Sequence, residues 1–248
     1  MRFIVAKNDE ELSQRAADLI AAQVILKPDC VLGLATGSSP IGTYDCLAKW
    51  YQEGRLDFSH VTSINLDEYQ GLTPDNSQSY HYFMNEHFYS RVNIRPENTH
   101  VPDGEDPDAE RACKAYDKII QEAGGIDLQL LGIGPDGHIG FNEPADAFSV
   151  GTHCVALDPS TIQANQRFFT DGQEVPRHAY TMGIGSILRA RKIVLIASGA
   201  AKKAPVEASF FGPVVPSMPA SILQLHPDCT VVLDEAAAAG IRDRIETD

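Results

Sequence analysis

The chain has 248 residues, of which 43% are hydrophobic, and this length and composition suffice to bury the core of one globular domain. Its 20 basic and 34 acidic residues leave a formal charge of −14, which repels nucleic acids and anionic membranes at long range. We therefore expect a single catalytic domain over residues 1–248, with neither nucleic acid nor membrane as a partner. A small anionic substrate remains compatible with this charge, because one phosphate needs only a few amides and one or two cations.

The start of the chain and its cysteines indicate a cytoplasmic protein. No stretch reaches the roughly 18 to 20 consecutive apolar residues that cross a bilayer. The opening residues become charged before the core of a signal peptide could form. The five cysteines are widely spaced and contain no C-x-x-C pair, so the sequence predicts reduced thiols and neither a disulfide framework nor a zinc knuckle.

Short runs rich in Val, Ile and Leu alternate along the chain with amphipathic stretches of helical length. The runs predict buried strands at Phe3–Val5, Val31–Leu34, Val61–Leu66, Leu128–Ile133, Val155–Leu157, Ile193–Ile196 and Val231–Leu233. The amphipathic stretches predict helices at Glu10–Leu26, Pro40–Glu53, Pro107–Ala123 and Ala200–Phe210. This alternation favours an α/β fold, with an open, mostly parallel sheet and helices on both faces.

Ligands of such sheets gather at the carboxyl ends of the strands. The loops that follow Leu34, Leu66, Ile133 and Ile196 are therefore the places to look for chemistry. The longest stretch without strand or helix regularity runs from about residue 144 to 176. Long irregular segments in compact domains are often lids, so we expect a lid there.

Small and hydroxylated residues follow the run Val31–Leu34 and lead into the next predicted helix. Gly37 allows the backbone to approach a ligand, and Thr36 and Ser38 offer hydroxyl groups. Pro40 suits the first turn of a helix, where free amides and the helix dipole favour an anion. The pattern is neither a P-loop nor a dinucleotide fingerprint, and it indicates either a phosphate-binding loop or an ordinary helix cap.

Two later segments could bring cations to a bound phosphate. Arg167 lies in the irregular segment, and Lys202 and Lys203 follow the run Ile193–Ile196. Lysines in the first turn of a helix oppose its dipole unless an anion is present. A solvated first turn is the alternative interpretation of the lysine pair, and the pattern does not choose between the two lysines.

Two carboxylates, Asp67 and Glu68, come directly after the run Val61–Leu66. Neighbouring residues of a strand point to opposite sides, so we expect at most one of them in a site, and Asp67 is the candidate. A carboxylate there can take a proton from a carbon next to a carbonyl, which an aldose-to-ketose shift requires. Capping of the next turn is the alternative role.

Candidate catalytic residues are most concentrated in the glycine-rich segment 132–144, which begins at the end of the run Leu128–Ile133. Asp136, His138 and Glu143 lie among its four glycines, whose tight turns can bring the three side chains to one small volume. The spacing lacks the His and Cys pairs of zinc sites, so we expect no metal. A serine hydrolase is disfavoured because the chain contains no G-x-S-x-G element.

Three segments together resemble the glucosamine-6-phosphate deaminases, namely residues 32–40 (LGLATGSSP), 65–69 (NLDEY) and 136–144 (DGHIGFNEP). They occur in the order and spacing of that family. Further similarity at residues 79–80, 165–169 and 221–227 extends the resemblance over nearly the whole chain. The resemblance implies a Rossmann-like fold of the sugar-phosphate isomerase type, a mobile lid over about residues 144–176, and no cofactor.

The resemblance also implies a reaction, in which glucosamine 6-phosphate and water give fructose 6-phosphate and ammonia. His138 would mediate the opening of the sugar ring, with Asp136 and Glu143 holding and tuning it. Asp67 would then move a proton between the first two sugar carbons, and water would attack the resulting imine to release ammonia. The residues that the resemblance assigns to the substrate phosphate are Thr36, Gly37, Ser38, Arg167 and Lys202.

Two other functions compete with this one. The 6-phosphogluconolactonases are similar in the phosphate loop and the Asp-Gly-His element, but they lack the Phe-Asn-Glu-Pro continuation found here at Phe141–Pro144, which favours the deaminase. A sugar-sensing module of a transcription regulator would need a DNA-binding segment, and none is visible. Hexameric, allosterically activated deaminases carry basic residues where Ser149–Cys154 has none, so we expect a monomer or small homo-oligomer.

Overall fold

The structure is a computed structural model that describes residues 1–157 and 175–245. Its strands are β1 (Arg2–Ala6), β2 (Val31–Leu34), β3 (Thr62–Asn65), β4 (Asp67–Tyr69), β5 (Thr99–His100), β6 (Leu128–Leu131), β7 (His153–Ala156), β8 (His178–Thr181), β9 (Lys192–Ala197) and β10 (Cys229–Asp234). Its α-helices are α1 (Asp9–Leu26), α2 (Ile41–Gln52), α3 (Tyr80–His87), α4 (Ala109–Glu122), α5 (Ile184–Leu188), α6 (Lys203–Phe211) and α7 (Glu235–Ala238). Shorter 3-10 turns lie at Tyr89–Arg91, Pro96–Asn98, Ala200–Lys202, Pro219–Leu225 and Arg242–Arg244.

Seven strands form the central sheet, in the order β1-β10-β9-β6-β2-β3-β5, and every neighbouring pair is parallel. From β2 the sheet continues in one direction through β3 and in the other through β6, β9 and β10, so the strand order reverses between β2 and β6. In doubly wound sheets this reversal opens a crevice at the carboxyl ends of the strands. The predicted open, parallel α/β fold is confirmed.

Helices cover both faces of the sheet. Side chains of a strand alternate between its two sides, so a strand can present apolar side chains to the helices on both faces. On β9, Ile193 and Leu195 pack into one apolar cluster, whereas Val194 and Ile196 pack into a second cluster. The first cluster contains residues of α4, α5, α6 and α7, and the second contains residues of α1, α2 and α3. No helix within the described residues is long and apolar enough to cross a membrane.

A smaller antiparallel sheet, in the order β4-β8-β7, lies beside the central one. The run Val61–Leu66 was predicted as one strand, but β3 ends at Asn65, and Leu66 joins it to β4 in the other sheet. The Leu66 amide still donates to Leu34 of β2 at 3.0 Å, while its carbonyl accepts from Met182 at 2.7 Å. Leu66 is therefore the point where the chain leaves one sheet and enters the other.

The run Val155–Leu157 was predicted as a buried strand of the main fold. It overlaps β7, which belongs to the small sheet and is only partly buried. The predicted lid, residues 144–176, thus contains a strand at His153–Ala156. Residues 158–174 of this segment lie outside the described part of the chain.

Candidate active site

The predicted phosphate loop follows β2 and leads into α2. Tyr44 of α2 is fully buried, and its hydroxyl group donates to the Ala35 carbonyl at 2.6 Å and accepts from the Ala35 amide at 3.2 Å. Gly37 takes a φ of 90°, in the left-handed region that favours glycine. The residue before α2 is Pro40, and no side chain caps the helix there. The first amides of α2 are therefore suited to a ligand anion.

The two consecutive carboxylates of β4 have different environments. Asp67 lines a cavity at the carboxyl edge of the sheet and is 5% exposed. Glu68 turns the other way, and its carboxylate accepts hydrogen bonds from the amides of Tyr69, Tyr80 and His81 at 2.8, 2.9 and 2.9 Å. Of the two carboxylates, Asp67 is the one that lines the cavity, whereas Glu68 binds the first amides of α3. The catalytic role of Asp67 stays a prediction.

Burial dominates the protonation of both carboxylates. It raises the pKa of Asp67 to about 8, with a further contribution from the neighbouring Glu68 charge, while His138 acts in the opposite direction. Burial also raises the pKa of Glu68 to about 7, against the three amides that stabilise its charged form. Asp67 is thus a carboxylate that can hold and return a proton near neutral pH, as a general acid or base must.

The glycine-rich segment brings Asp136, His138 and Glu143 together. The Nδ1 atom of His138 lies 2.7 Å from Oδ1 of Asp136 and 3.3 Å from Oε2 of Glu143. Nδ1 has no hydrogen-bond partner with good geometry, so the 2.7 Å contact with Asp136 is an ion pair and not an aligned hydrogen bond. The Asp136 carboxylate also accepts from the His138 amide at 3.1 Å. These contacts orient the imidazole from the Nδ1 side.

The two carboxylates change the protonation of His138. Burial favours the neutral imidazole, but the negative charges of Glu143 and Asp136 outweigh it and raise the pKa of His138. For Asp136, burial opposes the charged form, while Glu143 and His138 more than offset this and lower its pKa. A histidine in this setting carries a proton more readily than a free one, which suits proton transfer to a sugar oxygen.

Two glycines allow the close contacts of this segment. A Cβ atom on Gly134 would lie 2.2 Å from the His138 ring, so only glycine lets the ring pack against this turn. Gly140 has a φ of 58°, and a Cβ there would lie 3.0 Å from Oγ1 of Thr181 and 3.4 Å from Oδ2 of Asp67. The glycine-rich segment therefore packs directly against the strand that carries Asp67.

Lys202 and Lys203 differ in position. Lys202 lines the cavity, donates from Nζ to the Ile133 carbonyl at 2.6 Å, and has a pKa lowered by burial. Lys203 is exposed, and its side chain lies beside Gly240 and does not line the cavity. The structure thus separates two lysines that the sequence pattern could not, and Lys202 is the one at the site.

One cavity of about 270 Å³ at the carboxyl edge of the sheet connects the predicted phosphate loop with the predicted catalytic side chains. Residues of the phosphate loop, Asp67, His138 and Lys202 all line it. Asp136 and Glu143 do not line this cavity, and both contact Nδ1 of His138. Of the predicted site residues, Arg167 lies outside the described part of the chain.

Asp136, His138 and Glu143 together also offer three ligand atoms within 4.8 Å of one another, which is a possible arrangement for a cation. The same contacts serve a histidine held by two carboxylates, so the geometry is compatible with both uses. The expectation of a metal-free site stays a prediction, and treatment with a chelator tests it.

A buried carboxylate and a histidine on one cavity, at the carboxyl edge of a parallel sheet, are the arrangement of an enzyme that acts on a small substrate. A model of the family described as glucosamine-6-phosphate isomerases/6-phosphogluconolactonase matches residues 6–232. The chain belongs to this family, and within it to the glucosamine-6-phosphate deaminases.

Curated relatives are similar over almost the whole chain. A glucosamine-6-phosphate deaminase of Lachnoclostridium phytofermentans is 60% identical over 232 residues, which cover 94% of this chain and 98% of the relative. One from Halothermothrix orenii is 53% identical over 239 residues, covering 96% and 99%.

Solved structures agree with this placement. One described as a monomeric glucosamine-6-phosphate deaminase is 43% identical, covers 97% of this chain and 100% of its own, and superposes with a TM-score of 0.92. A 6-phosphogluconolactonase from Trypanosoma cruzi shares the fold at a TM-score of 0.77, with 17% identity and coverage of 97% and 96%.

Proposed function

We propose that this protein converts glucosamine 6-phosphate and water to fructose 6-phosphate and ammonia at the cavity lined by Asp67 and His138. The observation that carries the proposal is that a buried carboxylate and a histidine share one cavity with the phosphate loop and Lys202. The loop amides, Thr36, Ser38 and Lys202 bind the substrate phosphate, and Arg167 completes this set.

His138 opens the pyranose ring. It moves the proton of the C1 hydroxyl group to the ring oxygen as the bond between C1 and that oxygen breaks, which leaves an open-chain 2-amino aldehyde. Asp136 and Glu143 hold the imidazole and raise its pKa, so that it can donate as well as accept a proton.

Asp67 then carries out the isomerisation. Its carboxylate removes the proton from C2, which the adjacent carbonyl group makes acidic, while a proton passes from the amine to the carbonyl oxygen at C1; the protonated carboxyl group then returns its proton to C1. The product is an imine at C2, and addition of water to this carbon releases ammonia and leaves the ketone of fructose 6-phosphate. These steps require no metal or organic cofactor, because the substrate itself delocalises the developing charge.

The expected result for purified protein treated with a chelator is release of ammonia and fructose 6-phosphate in equal amounts from glucosamine 6-phosphate. An enzymatic assay of both products over the same time course measures this. We expect no hydrolysis of 6-phosphogluconolactone above the buffer rate. Activity on the lactone without ammonia release would replace the deaminase by the lactonase, and loss of activity restored by a divalent cation would assign a metal to Asp136, His138 and Glu143.

The pH dependence of kcat/KM should show the buried base. Asp67 acts in its ionised form and its pKa is raised to about 8, so kcat/KM should rise with pH and reach its plateau above about pH 8. Replacement of Glu68 by Gln removes a charge that raises this pKa, and should move the rise to lower pH. The amine of the substrate also titrates, but its titration would not respond to this variant. A rise that stays in place would remove Asp67 as the titrating group.

We further propose a monomer in the cytoplasm, formed by one catalytic domain with residues 144–176 as its lid. Support for the monomer comes from the relative described as monomeric and from the absence of Arg and Lys in Ser149–Cys154.

A further inference from the structure

Thr181, the last residue of β8, lies between the two elements that carry the proposed catalytic side chains. It is fully buried and does not line the cavity. In the antiparallel pair of β4 and β8 it stands directly opposite Asp67. Side chains of directly opposed residues project from the same face of a sheet, so Thr181 and Asp67 share a face. Thr181 is therefore placed next to the proposed base but outside the substrate cavity.

The Thr181 hydroxyl group holds the glycine-rich segment. Its Oγ1 atom accepts from the Phe141 amide at 3.0 Å, in a buried hydrogen bond. The preceding Gly140 comes so close that a Cβ atom on it would lie 3.0 Å from this Oγ1 and 3.4 Å from Oδ2 of Asp67. Gly140 and Phe141 both line the cavity and follow His138 closely in the chain. One hydroxyl group thus links the strand of Asp67 to the segment of His138.

Asn142 fastens the same segment to the residue that follows β8. Its Nδ2 atom donates to the carbonyl groups of Ile139 and Met182, both at 2.9 Å. The Met182 amide in turn donates to the Leu66 carbonyl, at the start of β4, at 2.7 Å. The fold should therefore survive loss of the Thr181 hydroxyl group, although these contacts do not replace the hydrogen bond that it makes.

We propose that Thr181 is a positioning residue, whose hydroxyl group fixes His138 relative to Asp67. The proposal rests on the proposed function, since it assumes that these two side chains act in turn on one bound sugar. Without the hydroxyl group the buried Phe141 amide has no acceptor, and we expect the segment to shift toward another one. A shift of about 1 Å in a group that transfers a proton can lower the rate by as much as 10²-fold.

The test is Thr181→Val, which keeps the shape of the side chain and replaces the hydroxyl group by a methyl group. It should lower kcat for glucosamine 6-phosphate by about 10- to 100-fold. KM and the Kd of inorganic phosphate should change by less than about 2-fold, because the phosphate loop and Lys202 take no part in this hydrogen bond. Thr230→Val is the matched control, at a buried threonine of β10 that does not line the cavity, and should leave all three constants unchanged.

Thr181→Ser distinguishes positioning from packing. Serine keeps the hydroxyl group but loses a buried methyl group, so this variant should have a lower melting temperature and yet keep kcat within about 3-fold of the wild type. A packing role alone predicts the opposite order, with the serine variant more impaired than the valine variant. That order, or a wild-type kcat in Thr181→Val, would overturn the proposal.

Hydrogen exchange of the Phe141 amide tests the contact without turnover. Thr181→Val should speed this exchange by at least about 10-fold, whereas Thr181→Ser should not, even though it is the less stable variant. Unchanged exchange in Thr181→Val would overturn the proposal. Because this measurement needs no substrate, a wild-type protein that releases no ammonia would contradict the proposed function, and the exchange rates would still decide whether Thr181 holds the segment.

Discussion

Asp67→Asn should lower turnover of glucosamine 6-phosphate by about 10² to 10⁴-fold, the range expected when a general base is removed. The amide keeps the size of the carboxylate but cannot accept the proton of C2. Because Asp67 lies on the catalytic side of the cavity and the phosphate loop is unchanged, substrate should bind nearly as well as in the wild type. Steady-state kinetics and a direct binding measurement together check this, with the exposed Asp75→Asn as the control.

The same variant should not lose stability. The folded-state pKa of Asp67 is about 8, well above the value of about 3.9 of a free Asp, so ionisation costs the folded protein stability as pH rises from about 4 to 8. The neutral amide of the Asp67→Asn variant carries no such cost, and thermal unfolding at pH 8 should show a melting temperature at or above that of the wild type. Normal turnover in a folded Asp67→Asn protein would remove Asp67 from the mechanism.

His138→Gln should also reduce turnover by about 10² to 10⁴-fold, but at a different step. Glutamine can fill the place of the ring and still contact Asp136, but it cannot exchange a proton near neutral pH. The pyranose would then open only at its solution rate. The exposed His178→Gln, on β8, is the matched control and should keep full activity.

The two variants can be told apart by the interconversion of the α and β anomers of the substrate, which requires ring opening without isomerisation. The Asp67→Asn protein should still accelerate this exchange, whereas the His138→Gln protein should not. Magnetisation-transfer NMR on glucosamine 6-phosphate measures the rate directly. Acceleration by both variants, or by neither, would contradict the division of work between His138 and Asp67.

Much of the main sheet could be predicted from the sequence because most of its strands are short, mainly apolar runs between helical stretches. β2, β6, β9 and β10 bury both faces, and burial on both faces produces the apolar runs seen in the sequence. β4, β5 and β8 have only two to four residues and mix polar with apolar side chains, so no periodicity marks them. For that reason the sequence predicted neither β5, at the edge of the main sheet, nor β4 and β8, two of the three strands of the small sheet.

The site was predictable where residues close in sequence act together. Asp136, His138 and Glu143 lie within eight residues, and the glycines between them indicate tight turns. The choice of Lys202 over Lys203 required the structure, because it depends on how a 3-10 turn leads into α6. The role of Glu68 also depended on tertiary contacts, since it caps a helix that begins 12 residues later.

Transfer of a proton between C2 and C1 by a single carboxylate can be tested by incubating the protein with fructose 6-phosphate and ammonium in D₂O. A base that acts from one face of the substrate exchanges one of the two C1 hydrogens. We therefore expect stereospecific incorporation of a single deuterium at C1, detected by NMR. Exchange of both hydrogens, or none in protein that still releases ammonia from glucosamine 6-phosphate, would contradict this mechanism.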